Sequence, residues 1–411
     1  MSAFQPDFER IFRDEYGRVV ASLARRFGDL DVAEDAASEA VREALERWPV
    51  EGLPANPGGW LTVTARNSAL DKVRRESLRL GKEVAAVQIF DDTPHASVGA
   101  IGDDRLRLLF TCCHPVLAEE ARIALTLRLL GGLSVVEIAR AFFVPATTMG
   151  QRITRAKAKI KNVGIPYQVP SSADLPERLS SVLSVLYLIF NEGYLPGSDS
   201  DGEPVRVDLC EEAIRLARVL HALLPDEPEV TGLLALMLLT DARRAARFAE
   251  GVLVPLADQD RSTWDQTLIA EGHALVRDCL AINRPGPYQL QAAINAVHTD
   301  ASSSEATDWS QVLALYDQLS SFDSSPVVAL NRAVAVAEIE GAQPALDIVE
   351  GLGLEGYQPW HATRAELLKR LGRFAEAKEA FETAAGASDN SAVAAYLRQQ
   401  GQPFVGMEQD D

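Results

Sequence analysis

The residues of this chain best suited to chemistry are hydroxyl, amide and guanidinium side chains that recur along one short stretch. They are Thr147, Thr148, Gln151, Arg152 and Arg155, followed by Lys157. The chemistry they offer is recognition of a polyanion, because amides and guanidinium groups read base edges while cations hold phosphates. Between Arg140 and Lys161 the sequence places six Lys or Arg and no Asp or Glu. Two helices must carry these groups. Ser134 is a natural N-cap, and Glu137 three residues on completes a capping box. Val135, Ile138, Ala139 and Phe142 then keep helical spacing on one face. Pro145 ends that run and pre-sets the first turn of the next helix. There Met149, Ile153, Ala156 and Ile160 form the buried face, leaving the polar set outside. This is the pattern of a helix-turn-helix with an exposed recognition helix. An ordinary helical hairpin with a solvated basic face is the plainer alternative, and the run of cations without an acid favours nucleic acid.

Other clusters read as structure. Asp258, Asp260 and Asp265 surround Arg261, with His273 and His298 downstream. Caps and ion pairs between helices account for them, with Trp264 as a core residue. No HExxH, Walker loop or GxSxG is present, so no catalytic residue is assigned and the chain is not expected to be an enzyme. Cys112 and Cys113 are adjacent and followed by His114. Vicinal cysteines rarely share one tetrahedral ion and no second pair lies at zinc-finger spacing, so burial is expected, with no metal and no cofactor.

Charge divides the chain. The 411 residues carry a formal charge of -19, which taken alone argues against nucleic acid. Through Ile165 there are 23 basic and 22 acidic residues, a balance of +1, leaving −20 for the remainder. With 47% hydrophobic residues the sequence can bury ample core in two to four domains. Asp7 and Glu9 interrupt the N-terminus and no apolar leader follows, while the runs Val185–Phe190 and Leu233–Leu239 are too short to span a bilayer. Four cysteines suit a reducing compartment, and a cytoplasmic location is expected.

Helical periodicity dominates, so the expected class is all-α. Turn-forming clusters fall at Pro49–Gly59, Asp91–Asp104, Gly164–Pro176, Pro196–Pro204, Arg284–Pro287 and Asp300–Thr307. Phe8, Ile11, Phe12, Tyr16, Val19, Val20 and Leu23 form an apolar stripe on a first helix. A second places Glu34, Asp35, Ser38, Glu39, Arg42 and Glu43 on a solvent face opposite Ala37, Val41, Ala44 and Leu45. A third turns Trp60, Leu61, Thr64 and Leu70 inward and leaves Arg66, Asn67, Arg74 and Arg75 as a basic stripe. Opposite charges on successive helices serve either mutual pairing or two different partners.

The order AED..SEA...AL..WP, then PGGWL...ARN.ALD..RR, then GLSVVEIARAF.VP..TM.QRI.RAKAKI resembles a bacterial extracytoplasmic-function sigma factor. The resemblance implies sigma region two over 1–82, a linker over 83–104, region four over 105–165, and partners in core RNA polymerase and promoter DNA. It places polymerase docking on Asp35, Ser38, Glu39 and Glu43, although Ser38 stands where many members carry Gln. It assigns the −10 element to Trp60, Arg66, Asn67, Arg74 and Arg75. Thr147, Thr148, Gln151, Arg152, Arg155 and Lys157 fall where the family reads the −35 element. Residues 166–411 form an acidic extension in which Arg364–Ala384 resembles a tetratricopeptide repeat and Val327–Leu346 a degenerate partner. Gly341 and Gly372 lie near that repeat's period. Val230–Leu239 and Asp241–Glu250 suggest a further helical hairpin. A helical solenoid with a concave surface follows. It would regulate by contact with the sigma domains or by binding a partner; the alternative is a helix-turn-helix regulator with a ligand- or peptide-sensing solenoid. No membrane partner is expected.

Overall fold

A computed structural model describes residues 4–79, 98–142, 144–195, 205–388 and 390–402. These residues are overwhelmingly helical and divide into two compact units, Met1–Leu188 and Ile189–Asp411.

The first unit opens with α1 (Phe4–Phe27), α2 (Leu30–Glu51) and α3 (Pro57–Arg79), which pack on one another. Val19, Val20 and Leu23 of α1 are buried against Ala33, Ala37, Ala40 and Ala44 of α2 and against Leu61, Ala65 and Ala69 of α3. Small side chains on α2 and α3 let the three helices approach closely. Asp29 caps α2, accepting from the backbone N–H groups of Asp31 and Val32. Two expectations for α2 fail. Glu34 is not on the solvent face but only 8% exposed, and Leu45 is not inward but 50% exposed. The helix also runs through Pro49 to Glu51 before Gly52, at φ 86°, ends it.

α4 (Val98–Cys112), α5 (Glu119–Leu129), α6 (Val135–Ala141) and α7 (Ala146–Val163) follow. The part of the expected linker from 83 to 97 lies outside the described residues, and α4 begins at Val98, inside that stretch. Asp104 is buried between Arg25 and Arg107, at 3.3 and 2.9 Å. Cys112 and Cys113 are both buried, and burial pushes their thiols up, that of Cys113 to about 11. The compact unit reaches beyond Ile165, because the first part of α8 (Leu175–Tyr194) belongs to it. Arg178 donates to the Phe110 carbonyl at 2.6 Å and Ser181 to that of Cys113 at 2.9 Å.

In the second unit α9 (Val207–Leu223), α11 (Gln266–Ile282) and α12 (Pro287–Asp300) surround α10 (Pro228–Asp241), which is buried on every side from Val230 to Leu239. α10 and α12 meet at Gly232, where a Cβ would lie 2.7 Å from the Gln289 amide nitrogen. The expected helix over Asp241–Glu250 does not form. A two-residue turn at Glu250 and Gly251, both at positive φ, joins the short strands β1 (Phe248–Ala249) and β2 (Val252–Leu253) instead. From there each helix packs on its predecessor: α13 (Trp309–Phe322), α14 (Pro326–Ile339), α15 (Ala342–Glu350), α16 (Gln358–Arg370), α17 (Phe374–Gly386) and α18 (Ser391–Gln400). Gly341 and Gly372 take φ of 97° and 72° at the turns before α15 and α17, a conformation that favours glycine. Ala333, Ala345, Ala365, Ala377 and Ala384 are buried where these helices approach.

Candidate nucleic-acid interface

α6 and α7 realise the helix-turn-helix. The Ser134 hydroxyl accepts from the Glu137 N–H, and the Glu137 carboxylate accepts in return from the Ser134 N–H at 2.6 Å. Ile138 and Ala139 are buried from α6, and Met149, Ile153, Ala156 and Ile160 from α7. That packing fixes which side of α7 faces out. Thr147, Thr148, Gln151 and Arg155 are exposed and Arg152 is half-buried. Among the described residues none of these five side chains has a hydrogen-bond or ion-pair partner, so their donors and acceptors stand ready for a ligand.

Lys157 departs from that group. Its ammonium pairs with Glu34 and with Asp31, the latter at 2.8 Å, and its side chain is only 10% exposed. Burial alone would lower the Lys157 pKa, but Glu34 and Asp31 outweigh it and hold the group above its ordinary value. Arg128 from α5 reaches Glu34 at 2.5 Å and the Leu133 carbonyl at 2.8 Å. Lys161 pairs with Asp29 at 3.0 Å. Burial raises the Asp29 carboxyl, yet the Lys161 ammonium and the N–H groups of Val32 and Asp31 bring it below its ordinary value. A clasp of three cations on α5 and α7 and three acids at the start of α2 therefore joins the two helical parts of the first unit. Lys157 as placed serves this clasp rather than the exposed face of α7. Sequence reasoning missed the clasp because its partners lie 94 to 132 residues apart.

The expected −10 residues share α3. Asn67, Arg74 and Arg75 are exposed, whereas Arg66 is half-buried with its Nε shielded from solvent and unpartnered. Trp60 is half-buried, edge-on to Trp48 with ring centroids 5.3 Å apart, and the Arg47 guanidinium lies 5.9 Å from its ring. Of the expected docking residues on α2, Asp35 is exposed and pairs with Lys72 of α3. Glu39 is exposed and paired with Arg42 at 2.5 Å, and Glu43 is half-buried and paired with Arg47 at 2.9 Å. The Arg42 guanidinium holds the Glu39 carboxyl below its ordinary value. Ser38 is half-buried, 3.4 Å from the Tyr16 hydroxyl. Thus α2 and α3 do pair their charges, through Asp35 and Lys72, while leaving most of both faces to solvent.

Two of the carboxylates around Arg261 serve as caps. Asp260 accepts from the Ser262 N–H, and Asp265 from those of Thr267 and Leu268. Trp264 is buried. No grouping of His, Cys, Asp and Glu among the described residues has metal-site geometry, and no helix among them is long and apolar enough to cross a membrane.

Comparison with known proteins assigns these parts. Residues 11–79 match Sigma-70 region 2 and residues 107–160 match Sigma-70, region 4. Residues 178–280 match DUF6596, a family of unknown function. An uncharacterized protein of Rhizobium meliloti (strain 1021) is 46% identical over 392 residues, which cover 93% of this chain and 92% of that protein.

Proposed function

The chain belongs to the sigma-70 family, and from that premise we propose that it is an extracytoplasmic-function specificity subunit whose C-terminal helical region regulates initiation. Regions 2 and 4 support a role as an RNA polymerase sigma factor, with core polymerase and promoter DNA as its partners. In our reading α7 lies in the major groove of the −35 element. Thr147, Thr148 and Gln151 face bases, Arg152 reads a base edge, and Arg155, one turn on, holds phosphate. α3 reads and opens the −10 element with Trp60, Arg66, Asn67, Arg74 and Arg75. α2 docks on polymerase through Asp35, Ser38, Glu39 and Glu43. The observation that carries the reading is the division of α7 into a buried apolar stripe and an exposed polar stripe whose side chains have no partner among the described residues.

The clasp sets the order of events. Elements centred 10 and 35 base pairs upstream are roughly 85 Å apart along the duplex at about 3.4 Å per base pair. Helices held by a shared ion pair cannot reach both, so docking on polymerase opens the clasp. Lys157 joins the −35 contacts only in the opened form. The extension, at −20 overall, resembles a tetratricopeptide-like solenoid and acts by contact with the sigma domains or with a partner protein.

Co-elution of the full chain with core polymerase tests the reading. A one-to-one complex is expected for the wild type. It should be lost when Asp35 and Glu39 are both changed to Lys, since both are exposed and the fold should survive. Equal co-elution of the double variant would show that docking uses another face.

A further inference from the structure

The second unit holds two half-buried guanidinium groups that no carboxylate among its described residues pairs with. Arg243 and Arg247 follow α10, close to Tyr194 at the end of α8. Arg243 spends one N–H on the Asn295 side-chain oxygen at 2.7 Å, and its Nε is shielded from solvent with no partner. The Arg247 guanidinium lies over the Tyr194 ring, 3.8 Å from the centroid, and its Nε is shielded and unpartnered too. The two are near enough that Arg243 disfavours charge on Arg247, and burial pulls both guanidinium groups below their ordinary range.

Their neighbours set them apart. Arg206 and Arg244 each stand beside a carboxylate, Asp208 at 3.0 Å and Asp241 at 3.6 Å. Arg261 donates to the His298 and Ala301 carbonyls at 2.6 and 2.8 Å, which satisfies the C-terminus of α12 and meets the negative end of its dipole. Arg243 and Arg247 have a neutral amide and a neutral ring. A buried ion without a counter-ion is expensive, and an orphaned buried donor in a folded protein calls for a partner. A guanidinium fork fits the paired oxygens of a carboxylate or a phosphoryl group.

We propose that Arg243 and Arg247, with Tyr194 and Asn295 beside them, bind a small organic anion through its carboxylate or phosphoryl oxygens. This site is independent of the promoter reading, and its failure leaves that reading intact. The rival filling is a side chain of the chain's own acids Asp199, Asp201 and Glu203, which lie outside the described residues.

Thermal unfolding of the full chain, titrated with inorganic phosphate or citrate against chloride at matched ionic strength, tests the proposal. A saturable rise in Tm of several degrees is expected with phosphate, citrate or both, and which of them acts identifies the accepting group. Arg243→Met with Arg247→Met should remove the response. It should also leave Tm in chloride equal to or above the wild type, because a half-buried charge without a counter-ion has been removed. No saturable shift in the wild type, or the same shift in the double variant, overturns the proposal. A shift that appears only in an Asp199→Asn, Asp201→Asn, Glu203→Gln variant gives the site to the chain's own carboxylates and overturns it equally.

Discussion

Two sites, one in each unit, shield charge in opposite ways. At the clasp Glu34 is sandwiched between Arg128 and Lys157, and a third cation, Lys161, holds Asp29. Each ion has its counter-ion within contact distance. Around Arg243 the second unit collects Arg247, Arg261 and His298, all positive or ionisable to positive, with no carboxylate paired to Arg243 or Arg247 among the described residues. The contrast teaches where each unit is vulnerable. A paired site loses most when one partner is removed. An unpaired site loses little on removal and gains most when a ligand supplies what is missing.

Breaking the clasp should give the largest effect. Glu34→Gln leaves Arg128 and half of the Lys157 pairing without a counter-ion in a site that excludes most water, and should cost about 4 kcal/mol. The denaturation midpoint of the first unit checks it; a loss below about 1 kcal/mol would place these pairs with ordinary surface ion pairs.

The pH dependence of the second unit comes next. Burial, Arg243 and Arg261 lower the His298 pKa to about 4. The unfolded chain therefore binds a proton between roughly pH 6.5 and 4 that the folded chain refuses, and stability falls across that window as pH drops, by up to about 3 kcal/mol. Asp241, raised by its burial, pulls the other way. Stability curves of wild type and His298→Phe isolate the histidine, and parallel curves would contradict its burial as a neutral ring. The clasp answers to other windows. Lys157, raised above 10.5, contributes stability that is lost only as pH climbs through its elevated value, and Asp29 contributes stability lost only below 3.8.

Within α7 the contrast recurs on neighbouring residues. Arg155→Ala should weaken promoter binding by about 2 kcal/mol and leave stability unchanged, because Arg155 is exposed and without a partner among the described residues. Lys157→Ala should lower stability as well, because its ammonium also belongs to the clasp. Promoter affinity alongside a melting curve separates them, and identical behaviour of the two variants would erase the distinction. The smallest effect belongs to Ser134→Ala, about 1 kcal/mol from the capping box, read as a lower Tm with no change in charge balance.

What the sequence made legible was local. Ser134 and Glu137 lie three residues apart, and the buried stripe of α7 repeats every turn, so both could be read without knowing any other part of the chain. The same holds for Gly341 and Gly372, whose turns need only a positive φ. What stayed hidden depends on distant partners. Glu34 reads as a surface acid until Arg128 and Lys157 fold onto it, and Leu45 reads as core until α2 turns its alanines inward. Arg243 and Arg247 lie in an alanine- and arginine-rich stretch that looks helical. It forms a short 3-10 turn over Arg244–Ala246 instead, with contacts to Tyr194 and Asn295, before the hairpin that turns at Glu250 and Gly251. The exposed polar side of α7 was therefore readable, except at Lys157, whose surroundings are set by an element over a hundred residues away.

The central claim is that this chain directs polymerase to promoters through α3 and α7. Run-off transcription with core RNA polymerase on the DNA upstream of the chain's own gene tests it most directly. The account predicts a discrete transcript that requires the full chain and falls by at least tenfold with Arg152→Ala and Arg155→Ala combined. A transcript pattern identical with and without the chain, or one indifferent to both substitutions, would contradict it.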